Sequence, residues 1–166
     1  MGGYIDMIEL IKPDLSHWGP LTTRLYENPS TEVLEAVKAF YDETLVPELV
    51  CAQKGSPDRP AMHWMAVEGR KVVITWNRRR MLGCWFIKDH GIYYACVNVE
   101  KGAAGCIPIL RALAYKTFES EGTKMWASTQ NPLIQAWATK AINTPEEGRP
   151  EGMPQPSFNG PRVEWK

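Results

Sequence analysis

The sequence predicts a mixed α/β (α+β) domain, and three observations carry that prediction. Apolar residues recur at helical spacing around 33–45 and again around 107–118. Residues 62–99 are rich in β-branched and aromatic residues and are punctuated by turn signals. In the second half a strand, a glycine-containing loop, a helix, a second strand and a second helix follow in order. The expected architecture is a central, mostly antiparallel mixed sheet with a strand-loop-helix-strand-helix C-terminal half.

Taken in order, Tyr4 to Ile11 predicts an opening strand that stops at Pro13. Asp14 can cap a short helix carrying Leu15, Trp18, Leu21 and Leu25, with Gly19-Pro20 as a potential break. Ser30 is the N-cap of the next helix. Val33, Val37, Phe40, Tyr41 and Leu45 lie on one stripe of it, and Pro47 bounds it. Residues 55–60 are a loop. Strands follow at 62–67, 71–76, 81–87 and 91–99, separated by Glu68-Gly69, Asn77-Arg78 and Asp89-His90-Gly91. Short connections of this kind imply a meander of antiparallel hairpins.

After Val99 the pattern changes. The loop 100–105 leads to a helix that starts near Cys106 or Ile107, has Pro108 in its first turn, and buries Ile107, Leu110, Leu113, Ala114 and Phe118. Gly122 ends it. Residues 124–129 predict a short strand, and Asn131-Pro132 an N-cap and N1 pair for a helix whose apolar face holds Leu133, Ile134, Trp137, Ala138 and Ala141. Residues 143–160, with four prolines and three glycines, read as an extended loop or arm, and 161–166 as a returning edge strand. The division is a domain over 1–142 with 143–166 as an appendage of the same domain.

The 166 residues suit one domain with a real core. Lysine plus arginine equals aspartate plus glutamate at 19 each, so no global field draws the chain to nucleic acid or to an anionic membrane, and neither is an expected partner. The Arg78-Arg79-Arg80 run is expected to be a solvated turn. The four cysteines, Cys51, Cys84, Cys96 and Cys106, match no zinc spacing and read as buried reduced thiols, with no metal site. Residues 1–6 lack a basic n-region and an apolar stretch, so no signal peptide is expected, and position 6 is Asp6 where myristoylation favours serine or threonine. A cytoplasmic location follows from these features.

The stretch Val97-Asn98-Val99-Glu100-Lys101-Gly102-Ala103-Ala104-Gly105-Cys106 would place several backbone N–H groups, and the positive end of a helix dipole, just after a strand. Such an arrangement binds phosphate oxygens, although a plain strand-to-helix connection accounts for it equally well. It is neither a Walker A loop nor a GxGxxG fingerprint. Farther on, Trp126-Ala127-Ser128-Thr129-Gln130-Asn131 would supply a neighbouring strand and an asparagine-led helix.

In this order of elements the chain resembles the GNAT superfamily of acetyl-coenzyme A-dependent N-acetyltransferases. In that family a central strand ends in an R/Q-x-x-G-x-G/A loop that holds the coenzyme A pyrophosphate, and an asparagine-led helix lines the pantetheine arm. The resemblance implies a GNAT-like fold and an acetyl-CoA site at Val97, Val99, Lys101, Gly102, Ala103, Ala104, Gly105, Cys106, Ile107 and Asn131. It also implies transfer of an acetyl group to an amine of a small-molecule or protein acceptor. Tyr94, Glu100 and His63 are the candidates for the proton transfers this chemistry needs.

The chain departs from the family pattern at Lys101, where arginine or glutamine is usual, and at Ala104, where a glycine is usual. It departs again at Ala138, where a thiolate-protonating tyrosine often stands, and at Ile142-Asn143, where Gly-Phe is usual. Those departures, with seven tryptophans as potential anchors, support a second reading: a GNAT-like binding or assembly protein with no cofactor and no turnover. It is reminiscent of bacteriophage proteins found in the host cytoplasm or virion, with residues 143–160 contacting a protein partner.

Overall fold

A computed structural model describes residues 18–44, 71–122, 126–128, 132–143, 148–153, 156–159 and 162–165. Ten elements lie within them: β1 (Thr22–Tyr26), α1 (Thr31–Thr44), β2 (Lys71–Asn77), β3 (Arg80–Lys88), β4 (Gly91–Val97), α2 (Gly102–Glu121), β5 (Trp126–Ser128), α3 (Pro132–Asn143), β6 (Pro156–Asn159) and β7 (Arg162–Trp165). The strands form one sheet in the order β1-β2-β3-β4-β5-β7-β6. Every neighbouring pair is antiparallel except β4 and β5, which run parallel. The coarse expectation of a mixed sheet, mostly antiparallel, therefore holds.

The hairpins arise where the sequence punctuates them. Lys88 pairs with Gly91 across Asp89 and His90, both at positive φ, the type I′ geometry that matches the twist of the flanking strands. Asn77 pairs with Arg80 across Arg78 and Arg79, so the arginine run is a turn, as expected. Ser30 caps α1: its Oγ accepts the N–H of Val33 at 3.3 Å and its carbonyl accepts that of Leu34 at 3.0 Å.

The sheet separates two apolar layers. On one face Val37, Phe40 and Tyr41 of α1 pack over Val72, Ile74, Met81, Cys84, Phe86 and Cys96. On the other, Cys106, Ile109, Leu110 and Leu113 of α2, with Ala141 and Ile142 of α3, pack over Val73, Leu82, Trp85, Ile87 and Val97. Alternation along β2 sends Val73 to one layer and Val72 and Ile74 to the other, as the two-residue period requires.

Two irregularities interrupt that period. Thr75 faces Gly83 while Trp76 faces Met81, so Leu82 is an extra residue on β3. Gly83 is thereby pressed against α2, where a Cβ would lie 2.5 Å from Ile109 Cγ2. The second is on β4: Cys84 faces Cys96 but Phe86 faces Tyr93, so β4 carries one residue too many within Tyr93–Cys96.

Three expectations change. Residues 22–26 are a strand, not the end of a helix; Gly19 at φ +78° and Pro20 break any helix there, and the β-branched Thr22 and Thr23 pair with β2. Thr23 Oγ1 meets Thr75 Oγ1 at 2.9 Å across that pair. The helix expected near Cys106 begins at Gly102, so Pro108 sits inside it and leaves the Ala104 carbonyl without its usual i+4 donor. The described parts of 143–160 are not an unpacked arm. Met153 is buried in the α2 layer, 156–159 form β6, and β7 lies inside the sheet between β5 and β6.

The end of α3 is held by two guanidinium groups. Arg111 Nε donates to the Ala141 carbonyl at 3.1 Å, while Arg149 donates to the carbonyls of Ile142 and Met153. Cations suit a helix C-terminus on both hydrogen-bonding and dipole grounds. Cys84, Cys96 and Cys106 are buried thiols in no disulfide, as expected; Cys51 lies outside the described residues. The opening strand, the Asp14 cap and the 62–67 strand also fall outside them. No described helix is long and apolar enough to cross a membrane.

Candidate functional site

The candidate site is built around the segment that links β4 to α2. Asn98 fixes it at three points: its N–H donates to the Leu82 carbonyl at 2.8 Å, its Oδ1 accepts the Glu100 N–H at 2.8 Å, and its carbonyl accepts from Cys106 Sγ at 3.2 Å. A turn follows, closed by the Gly102 N–H on the Val99 carbonyl at 3.0 Å. Gly102 takes φ +60°, a conformation that only glycine adopts cheaply.

The first turn of α2 is packed from outside by Trp18. Its indole Nε1 donates to the Gly105 carbonyl at 3.0 Å, and Lys101 Nζ and the Arg80 guanidinium lie 4.6 and 5.4 Å from its ring centroid. Asn77 Nδ2 holds the Trp18 backbone by donating to its carbonyl at 2.7 Å and to that of Pro20 at 2.9 Å. Gly105 is required by this packing, since a Cβ there would lie 2.9 Å from Trp18 Nε1.

The proposed cofactor residues therefore divide. Val97, Gly105 and Cys106 are buried, and Ile107 is half-buried against the α2 layer. Lys101, Gly102, Ala103 and Ala104 are exposed. The expectation that Gly102 and Gly105 offer bare amides is corrected: the first bonds Val99 and the second bonds the Lys101 carbonyl at 3.3 Å. Ala103 and Ala104 remain in the first turn, where a helix supplies no intrahelical acceptors for its amides. Burial pushes the Cys106 thiol up to about 11 and raises Cys84 as well, so both are held as neutral thiols.

Of the proton-transfer candidates, Glu100 is exposed and bonded to Arg80 at 2.6 Å. That hydrogen bond and the Arg80 charge hold its carboxyl below the usual range, which keeps it ionised and makes it a weaker base. Tyr94 lies within the irregular stretch of β4. His63 and Asn131 lie outside the described residues.

The β4 irregularity shapes what lies beside it. Among the described residues, parallel pairing between β4 and β5 runs through Gly91↔Trp126 and Ile92↔Ala127, next to the stretch of β4 that carries the extra residue. A bulge bends its strand and raises its twist.

On the α1 side of the sheet, an open cleft of about 640 Å³ runs between α1, the β2–β3 turn and residues 98–100. Ala36, Ala39, Phe40 and Glu43 line it at i, i+3, i+4 and i+7, one stripe of α1. Trp76, Arg79, Arg80, Met81, Asn98, Val99 and Glu100 form the opposite wall. The indole of Trp76 is fixed by its N–H to Tyr26 Oη at 3.2 Å. Sequence reasoning found Glu100 and missed Phe40, Glu43, Trp76 and Arg79. These come together only through the packing of a helix on a hairpin 30 to 40 residues away, and no local motif marks them.

Among the described residues, no group of three or more acidic, histidine or cysteine side chains could hold a metal ion. No family model matches the chain, and no curated protein matches it.

Proposed function

We propose that this chain is a GNAT-like N-acyltransferase that transfers an acetyl group from acetyl-CoA to an amine. The observation that carries the reading is the extra residue on β4, next to the residues that pair in parallel with β5. A bulge that bends β4 beside its parallel neighbour turns main-chain polar groups out of the ladder into a wedge-shaped gap, a place for an extended pantetheine arm and its thioester. The gap leads toward the N-terminus of α2, where Ala103 and Ala104, with Lys101 beside them, suit a pyrophosphate.

In this chemistry the amine nitrogen adds to the thioester carbonyl carbon, the C–S bond breaks, and the amine loses a proton while the thiolate gains one. Tyr94 at the β4 irregularity is the candidate thiolate donor, and His63 or Glu100 the candidate base; the ionised state of Glu100 beside Arg80 makes it the weaker of the two. Titration of the chain with coenzyme A in a calorimeter tests the reading. Binding is expected, and no heat at about 1 mM coenzyme A removes it.

A second reading, a GNAT-like binding or assembly protein without turnover, is favoured by the engaged Gly102 and Gly105 amides, which leave a reduced anion site. Ala138, half-buried in α3 where a tyrosine would serve catalysis, favours it too. The two readings part on product formation: coenzyme A binding with no acetylation of any amine in an acceptor panel supports the second. In that case residues 143–160 are less free to reach a partner than an arm would be, because Met153 and β6 are built into the fold.

A further inference from the structure

Building on the acyltransferase reading, we propose that the cleft between α1 and the β2–β3 turn selects a small zwitterion as acceptor, an α-amino acid with an apolar side chain. Four charged side chains line the cleft: Glu43, Arg79, Arg80 and Glu100. Arg80 and Glu100 neutralise each other at 2.6 Å, and Arg80 is further engaged with the Trp18 ring. Arg79 and Glu43 form no ion pair among the described residues. The cleft therefore presents one uncompensated cation and one uncompensated anion to whatever enters it.

Each has a chemical preference. A guanidinium is the side chain best suited to a carboxylate, which it can bind through two parallel hydrogen bonds. Glu43 lies in the last turn of α1, which holds no basic residue, so the negative end of the helix dipole adds to its charge and favours an ammonium group. The rest of the lining is largely apolar, with Phe40, Trp76, Met81 and Val99 as walls and the small side chains of Ala36 and Ala39 leaving room. A volume of about 640 Å³ lies within the range of small-molecule sites and accommodates an amino acid with a large side chain. The wall formed by Asn98, Val99 and Glu100 directly follows β4, so an amine held in the cleft lies on the same strand end as the gap proposed for the thioester.

The test uses calorimetry on the whole chain with three probes: L-phenylalanine, L-phenylalaninamide, which lacks the carboxylate, and N-acetyl-L-phenylalanine, which lacks the ammonium. L-phenylalanine is expected to bind, with each analogue weaker by about tenfold or more. Arg79→Gln should weaken L-phenylalanine and leave the amide unchanged. Glu43→Gln should weaken L-phenylalanine and leave the N-acetyl compound unchanged. Both side chains are exposed, so neither change threatens folding. Equal affinity for all three probes, or no binding of L-phenylalanine at about 10 mM, overturns the proposal. A parallel coenzyme A titration separates the two ideas: coenzyme A binding without L-phenylalanine binding removes the zwitterion site, whereas the reverse removes the acyltransferase reading and keeps the cleft.

Discussion

The indole N–H of Trp18 donates to the carbonyl of Gly105 at 3.0 Å, joining residues 87 positions apart. The bond seats a large aromatic ring on the first turn of α2 and makes Gly105 irreplaceable for steric reasons. In Gly105→Ala the new Cβ would lie 2.6 Å from Lys101 Cβ and 2.9 Å from Trp18 Nε1. A loss of about 1–3 kcal/mol is expected, seen as a lower urea midpoint at unchanged slope. A midpoint equal to the parent's would mean that the ring yields easily.

Gly83 and Ile109 form a second close approach. Gly83→Ala should destabilise by about 1–3 kcal/mol because its Cβ would meet Ile109 Cγ2 at 2.5 Å. Ile109→Ala alone leaves a cavity and costs about 2–5 kcal/mol. Together the two should cost clearly less than their sum, because the second change vacates the space the first one needs. Additive costs would dissociate the two sites.

Trp85 Nε1 donates to Thr117 Oγ1 at 2.8 Å inside the core, and that hydroxyl donates to the Leu113 carbonyl at 2.8 Å. Thr117→Val keeps the volume and strands the indole N–H. A loss of about 1–3 kcal/mol follows from desolvating that donor. Trp85→Phe in the Thr117→Val background should then cost less than it does in the parent, and a double-mutant cycle in denaturant measures the difference.

Glu100 supplies a pH signature. Its folded pKa is lowered, first by the hydrogen bond from Arg80 and then by the Arg80 charge. A lowered carboxylate binds fewer protons folded than unfolded, so its contribution to stability is present above the ordinary carboxylate range and disappears as pH falls through the folded value. Arg80→Gln should move the Glu100 titration, followed by carboxyl carbon chemical shift, up toward the ordinary range. No movement would show that Arg80 is not the cause.

Cys106 behaves in the opposite sense. Burial raises it from 9.0 to about 11, so between those values the unfolded chain loses its proton first and stability falls as pH rises. In a Cys51→Ser background the folded chain should leave a disulfide reagent unreacted at mildly alkaline pH and react fully once unfolded in urea, read by thiolate absorbance. Rapid labelling of the folded chain would contradict the burial of Cys84, Cys96 and Cys106.

What the sequence made legible was the structure whose cause is local. Ser30 announced α1, Gly122 the end of α2, and Asp89-His90-Gly91 the β3–β4 turn, because caps and turns are decided by a few adjacent residues. The start of α2 was misplaced because glycines and Pro108 imitate a loop, while the Val99–Gly102 turn and the Trp18 contact that support an earlier start come from elsewhere in the chain. β1 was read as a helix because Trp18, Leu21 and Leu25 fit a 3.6 period as well as a strand fits its partner, and only pairing with β2 decides between them. The link from β4 to α2 was legible as a candidate site. The cleft was not, since Glu43 and Arg79 are unremarkable surface charges until a helix is laid across a hairpin.

Arg111 and Arg149 grip the carboxyl end of α3 from separate parts of the chain, one on α2 and one in the segment that also buries Met153. The 148–153 segment cannot come loose without freeing the Ile142 carbonyl that Arg149 holds at the end of α3. The two should accordingly open as one cooperative unit, with amide deuteration rising at matched rates in both. A surface stretch dense in proline and glycine would thus share the protection of the interior.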